Sequence, residues 1–384
     1  MAKKMRVAVI FGGRSGEHEV SLRSAQTVIE ACDPKRYEVI PIAINKKGVW
    51  LNPHDSAKLL PTSTTRPITE GIEMSGEQSA QSDSFVWESL FATKANDKNT
   101  AVLKAFDVVF PVLHGTYGED GTIQGLLEMA NVPYVGCGVL ASSCGMDKVT
   151  MKALFRDAGL PVCKYTWFLR NDWEEQQAVI LRRIAREIGF PCFVKPANLG
   201  SSVGISKATN RRTLESAINL AARYDRKIIV EEGLDVREIE CAVIGNDQPQ
   251  ASLPGEYVVL DKQAAFLDYT EKYSGTGHVE FIVPAKLSKA ATARVQRIAV
   301  QVFQAVDGAG LARVDFFVRR DTNELLVNEL NTLPGLTDVS GFPKMWKTSG
   351  LEFPQVIERL IELALERQRE KARNVTSLES SPSN

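Results

Sequence analysis

The chain has 384 residues, 44% hydrophobic and 24% charged, with a net charge of -1. That length makes room for two or three domains, and the near-neutral balance argues against a nucleic-acid partner or an anionic membrane surface. No apolar run is long enough for a signal peptide or a membrane span, and the six cysteines (32, 137, 144, 163, 192, 241) show no CxxC spacing, which disfavours a structural zinc or redox motif and fits reduced thiols in the cytoplasm.

The pattern predicts a strand at 7–11, the glycine turn Gly12-Gly13-Arg14-Ser15-Gly16, a helix to about 32, a strand at 37–44 and a short one at 48–51. Strand, glycine loop, helix, strand is a parallel α/β opening. Residues 53–100 lack periodicity and read as a surface excursion. The sheet resumes at 106–111, a helix follows at 120–130, and Ser142-Ser143 reads as a helix start where the organisation changes. Helices are expected at 147–158, 173–188 and 213–224, and strands at 165–169, 191–195, 203–206 and 227–231. The remainder holds a strand at 237–244, a mobile segment at 261–280, a helix at 289–306, a hairpin, a helix at 354–371 and a disordered tail from 374.

The hairpin carries the most information. With its turn Arg319-Arg320-Asp321-Thr322-Asn323-Glu324 centred on Thr322, Asp315 opposes Glu329 and Arg313 opposes Asn331. Residues two apart share a face, so these four gather on one side, and Val314, Phe316, Val318, Leu326 and Leu330 form a core face on the other. Two carboxylates and an amide are hard oxygen ligands suited to Mg²⁺ beside phosphates. A salt-bridged strand pair is the alternative.

Other loops point to anions. Lys195-Pro196-Ala197-Asn198-Leu199-Gly200-Ser201-Ser202 is too long for a plain hairpin turn and offers approachable N–H groups, as a phosphate lid would. The loop at 12–19 is neither a P-loop nor GxGxxG; it reads either as an anion-binding helix start or as a glycine turn. Gly136-Cys137-Gly138-Val139-Leu140-Ala141 matches GxGxxA, with Asp157 near a ribose-acid position, but does not open a βαβ unit. His114 is either a substrate contact or a packing residue, and Lys272-Tyr273, between polar residues and glycines, reads either as a lid or as a surface loop.

Taken in order, Gly12 to Ser21, His114-Gly115-Thr116-Tyr117-Gly118-Glu119-Asp120-Gly121, Lys195 to Gly204, Ala312-Arg313-Val314-Asp315 and Asn328-Glu329-Leu330-Asn331-Thr332-Leu333-Pro334-Gly335 resemble the D-alanine–D-alanine ligase family of the ATP-grasp superfamily, over nearly the whole chain. The resemblance implies an α/β and α+β, three-domain ATP-grasp fold. It would have an N-terminal parallel α/β substrate domain (1–141), a central subdomain (142–230), a C-terminal subdomain with the metal site (231–373) and a tail (374–384), with nucleotide between the last two domains.

It implies ATP as co-substrate, D-alanine as substrate, two Mg²⁺ or Mn²⁺ ions, a homodimer, and a role in peptidoglycan precursor synthesis. Asp315, Glu329 and Asn331 would hold metal, and Lys148, Lys195, Ser202 and Lys272 would meet phosphate. Glu231, Glu232 and Leu234 would line the adenine pocket and Glu238 would meet ribose. Arg313 and the Gly335 N–H would form an oxyanion site, Glu17 would bind the first D-alanine's ammonium, Ser201 and Tyr273 would join the lids beside it, and Ser340 would orient the second D-alanine. Leu267 stands where an aromatic is common in the family, and Gly233 where a larger residue often lies. A ligase taking D-lactate or D-serine second, and a nucleotide-binding regulator without catalysis, are the competing readings.

Overall fold

The computed structural model describes residues 3–61, 106–200, 203–259 and 279–375. Strand β1 (Met5–Gly12) lies between β2 (Tyr37–Ile44) and β3 (Val108–Val112), parallel to both. A parallel sheet is covered on both faces, so its strands run apolar without alternation. Val7, Val9 and Phe11 accordingly enter one core with helix α1 (His18–Ala31), while Ala8 and Ile10 enter another with Leu127. The expected strand at 48–51 is reduced to one bridge, Ile44 to Trp50. Within the expected excursion, α2 (Pro53–Ala57) docks by Ser56, whose hydroxyl accepts from the Ala43 N–H at 2.8 Å. Residues 62–105 lie outside the described residues.

After α3 (Thr122–Met129), Gly138 rather than Ser142 begins the next helix, α4 (Val139–Met146). Gly138 is extended, so the chain turns helical at Val139, ahead of the serines, and buries Ser142 inside the helix. The GxGxxA match therefore opens a helix that runs straight into α5 (Lys148–Asp157), and Asp157 ends that second helix rather than a strand. Asp147 caps α5: one carboxylate oxygen accepts from the N–H groups of Val149 and Thr150, both at 3.0 Å.

A four-stranded antiparallel sheet follows, ordered β4 (Tyr165–Leu169), β7 (Lys227–Glu232), β5 (Cys192–Pro196) and β6 (Ser206–Ala208). Helices α6 (Arg170–Glu187) and α7 (Arg211–Tyr224) cover it, with Trp173, Ile184 and Ile218 packed on Phe168, Val194 and Val230.

The third sheet runs β11 (Val279–Ile282), β10 (Gly255–Val259), β8 (Val236–Gly245), β12 (Gly310–Arg319) and β13 (Leu325–Asn331), with β9 (Gln250–Ala251) against β8. Its two faces go to different cores. Ile239, Cys241, Ala312 and Val314 meet α8 (Lys289–Ala305) and Met151 and Phe155 of α5. Ala242, Ile244 and Leu311 share a core with Val7, Phe110 and the helices α9 (Gly341–Thr348) and α10 (Phe353–Lys371). The sequence pattern did not reveal α9, because Pro343 reads as a breaker; it sits in the first turn, where no intrahelical N–H is lost.

In the β12–β13 hairpin Arg313 pairs with Asn331 and Asp315 with Glu329, as the arithmetic predicts. The register then slips: Phe316 pairs with Val327, and Asn328 is left over as a bulge. This corrects one side chain. Leu326 opposes Phe317 instead of joining the core face, and Leu325 and Val327 take that face with Phe316 and Val318.

Leu360 of α10 is fully buried (0% exposed) in the core that joins the first and third sheets. Leu360→Ala is expected to destabilise the fold by about 2–5 kcal/mol, measured by urea unfolding.

Candidate active site

The N-terminal helix starts, the four-stranded sheet and the β12–β13 hairpin enclose a cavity of about 710 Å³. It is lined by Glu17, His114, Lys148, Lys195, Glu231, Glu232, Leu234, Glu238, Arg313, Asp315, Glu329, Asn331 and Gly335, so thirteen of the residues singled out from the sequence meet around one space. Ser340 stands just behind: a Cβ on Gly335 would lie 2.9 Å from its hydroxyl, which is itself 2.7 Å from the Thr337 hydroxyl. Ser201, Ser202, Lys272 and Tyr273 lie outside the described residues.

At the amino-terminal end β1 leaves its sheet through Gly12 (φ 89°), where a Cβ would stand 2.3 Å from the Ile44 carbonyl oxygen; only glycine fits this exit. The exit delivers Glu17 to the start of α1, between Gly115 and Gly200. His114 Nδ1–H donates to the Leu333 carbonyl at 3.1 Å, its Nε2 is 3.1 Å from the Ser24 hydroxyl, and Glu119 lies 3.7 Å away. His114 is thus a buried joint between the N-terminal sheet and the strand exit at Leu333 that also lines the cavity, so both roles read from sequence fit its place.

These groups set one another's charge. Burial, with the charge of Glu119 beside it, pushes the Glu17 carboxyl up to about 7, while His114 and Arg313 pull the other way. Burial works against an imidazolium at His114, yet the hydrogen bond and charge of Glu119, with Glu17, hold its pKa above the ordinary histidine value. A carboxyl poised near neutrality in a cleft suits a group that meets an ammonium.

The lysines come from two directions. The Asp147 cap sets Lys148 at the first turn of α5, its Nζ donating to the Leu199 carbonyl at 2.7 Å and lying 3.7 Å from Glu329. Lys195 lies next to last in β5 with its Nζ 2.6 Å from Glu231. The root of the following loop is pinned by Asp225, which accepts from the Asn198 backbone N–H at 2.8 Å and its side-chain amide at 2.9 Å. Burial alone would raise the Glu231 pKa, but Lys152 and Lys195 hold it down at about 2, so it stays ionised. Glu232, on the cavity wall, accepts from the Lys164 N–H at 2.7 Å.

On the hairpin, Arg313 grips both oxygens of Asp315 at 2.7 Å and reaches Glu240 at 3.3 Å, and the Asn331 amide donates to Asp315 at 3.0 Å. Arg313, Asp315 and Asn331 form one hydrogen-bonded unit facing the cavity, with Glu329 beside them on the same side. Both readings of the hairpin, ion-paired face and ligand set, thus describe the same atoms. Among the described residues no three His, Cys, Asp or Glu side chains form a metal cage. Two carboxylates and one amide suit an ion that draws its other ligands from phosphate and water. Sequence reading missed Glu119, which lines the cavity beside His114, and Lys152 and Glu240, which stand behind the lining.

Comparison with known proteins agrees with this layout. Residues 6–137 match the family model described as D-ala D-ala ligase N-terminus, and residues 154–362 the model for its C-terminus. A D-alanine–D-alanine ligase from Heliobacterium modesticaldum is 47% identical over 375 residues, 97% of this chain and 98% of that one. One from Bacillus velezensis is 47% identical over 362 residues, 94% of this chain and 98% of that one. Among solved structures, the D-alanine–D-alanine ligase from Coxiella burnetii superposes with a TM-score of 0.78 at 35% identity, covering 97% of both chains. A D-Ala:D-Ser ligase from Enterococcus faecalis gives a TM-score of 0.76 at 34% identity, covering 94% of this chain and all of that one. The chain belongs to the D-alanine–D-alanine ligase family.

Proposed function

We infer that this chain joins two D-alanines into D-alanyl-D-alanine, an ATP-dependent step in the supply of peptidoglycan precursors. The single observation that carries the reading is one cavity lined by a half-buried carboxylate at a helix start, two lysines and the bulged hairpin, in a chain of this family. The carboxylate oxygen of the first D-alanine attacks the γ-phosphorus, ADP leaves, and an acyl phosphate forms. The second amine, having lost a proton, attacks the carbonyl; the C–O bond to phosphate breaks and phosphate leaves.

Catalysis here is positioning and charge stabilisation. Glu17 receives the first ammonium, and Arg313 with the Gly335 N–H faces the oxygen that gains charge at the carbonyl. Ser340, beside Gly335, orients the second carboxylate. Lys148 and Lys195 meet phosphate oxygens as point charges, Leu234 with Glu231 and Glu232 surrounds the base, and Glu238 meets the ribose. Asp315, Glu329 and Asn331 fit two Mg²⁺ or Mn²⁺ ions, since the hairpin register sets their oxygen donors on one cavity-facing side. Such ions supply neutralisation of the phosphate charge. Ser202 and Lys272 at phosphate, and Ser201 and Tyr273 beside Glu17, complete the proposal from the family resemblance.

The three sheets support three units, the central one running through Glu232 at the end of β7 rather than stopping at 230. A homodimer and a cytoplasmic location belong to the same reading; six thiols without a disulfide fit a reducing compartment, and no helix among the described residues is long and apolar enough to cross a membrane. An acceptor other than D-alanine is not favoured: the curated relatives at 44–47% identity over nearly the whole chain are named for D-alanine. A regulator without catalysis is not favoured either, since every named relative here is a ligase.

The direct test is ADP and dipeptide formation by purified protein with Mg²⁺-ATP and D-alanine, then with D-lactate or D-serine added. No ADP with D-alanine overturns the reading. Glu329→Gln is expected to slow ADP release by about 100-fold or more in a coupled assay. Arg313→Ala leaves ATP binding within about threefold by calorimetry, because losing the arginine returns charge to Asp315, but lowers dipeptide formation by about 100-fold.

With Glu17 near 7 in the free protein, the ionised form that holds an ammonium gains population as pH rises. The affinity for D-alanine, by calorimetry, should therefore rise about tenfold from pH 6 to pH 8, the span of a single titration centred at 7, and be lower and flat in Glu17→Gln.

A further inference from the structure

Lys152 has no part in the roles above, yet it is one of the most deeply buried charges in the protein, 1% exposed. It stands four residues after Lys148 on α5, on the same helix face, and behind the cavity lining rather than on it. Its Nζ lies 3.0 Å from Glu231 Oε1, donates to the Asn328 carbonyl at 2.9 Å and lies 3.7 Å from Cys163 Sγ. An ammonium this deep persists only when paired. The Asn328 carbonyl belongs to the bulged residue of β13, so Lys152 is held in place by the same irregularity that aims Glu329.

Glu231 is 2% exposed and is shared: one oxygen faces Lys152, the other lies 2.6 Å from Lys195. Two ammoniums on one carboxylate leave the cluster one positive charge in excess. Of the two lysines only Lys195 lines the cavity, so that excess is presented where phosphate would sit. Without Lys152, Glu231 would neutralise Lys195 alone and the cluster would carry no net charge.

We propose that Lys152 is a positioning residue for nucleotide phosphate: by occupying half of Glu231 it keeps the charge of Lys195 available to the ligand. The proposal rests on the reading of the cavity as an ATP site. It assigns Lys152 no contact with substrate.

The test compares ADP with adenosine, each titrated by calorimetry in EDTA, so that base contacts cancel in the ratio and divalent ions do not enter. Lys152→Met should lower the preference for ADP over adenosine by about tenfold, the weight of one charge-assisted hydrogen bond. Glu231→Gln added to Lys152→Met restores the single excess charge and should return the preference to within about threefold of the parent protein. A merely structural role predicts no such rescue, since the double variant has lost more of the buried network.

A preference unchanged within about twofold in Lys152→Met, or a double variant as weak as the single, overturns the proposal. Should Lys152→Met fail to fold by circular dichroism, the double variant, which buries no unpaired carboxylate, decides alone: parent-like preference supports the proposal and lost preference overturns it. Failure of the parent protein to bind ADP at all is a different result, and overturns the ATP-site reading itself.

Discussion

Glu329 faces the cavity beside Asp315 because one residue, Asn328, is inserted into β13 without a partner on β12. Strand side chains alternate, so an extra residue exchanges the faces of everything on one side of it. Toward the turn, Leu325 and Val327 point into the core with Phe316 and Val318; toward the open end, Glu329 and Asn331 point into the cavity. An unbulged hairpin could keep one of these sets in place but not both. The irregular backbone is also anchored from behind, since the Asn328 carbonyl accepts from Lys152 and the Val327 N–H donates to the Pro161 carbonyl at 2.7 Å. The polar face thus has a fixed position relative to α5, and through α5 to Lys148.

Around this hairpin the site is built from charges that restrain one another. Arg313 divides itself between Asp315 and Glu240, Glu231 between Lys152 and Lys195, and Lys148 between the Leu199 carbonyl and Glu329. None of these is a surface pair of small consequence: all are largely withdrawn from water, where the electrostatic interaction is strong and each partner is costly to leave alone. A site prepared this way holds its donors and acceptors near working positions before substrate arrives, so little reorganisation is needed as charge moves during phosphoryl transfer.

Much of this was legible in the sequence, and the reasons are specific. The apolar runs of β1 and β3 announce a sheet covered on both faces, and the pairing of Asp315 with Glu329 follows from counting outward from a polar turn. The bulge was not legible, because no glycine or proline marks Asn328, and Leu326 was assigned to the wrong face as a result. Helix α9 was hidden by Pro343. Lys152 left a signal that went unused: it recurs with Lys148 and Phe155 at helical spacing on the buried face of α5, where a lysine needs a reason. Glu119 is harder. It lies within a glycine-rich loop without periodicity, and its bearing on His114 and Glu17 exists only once that loop folds back.

The shared core beneath α10 has a mechanical consequence. Val7 and Phe110 of the first sheet and Ala242 and Leu311 of the third are packed into one cluster with Leu360, whereas the four-stranded sheet keeps a cluster of its own. Glu17 and His114 therefore ride on the same solid body as Arg313, Asp315 and Glu329. The separation of the Glu17 carboxyl from the hairpin's polar face is a constant of that body. Lys195 and Glu231 belong to the other cluster's sheet and are tied to that body through Lys152 and Val149 of α5, so the central sheet bears on the reacting centre through one helix.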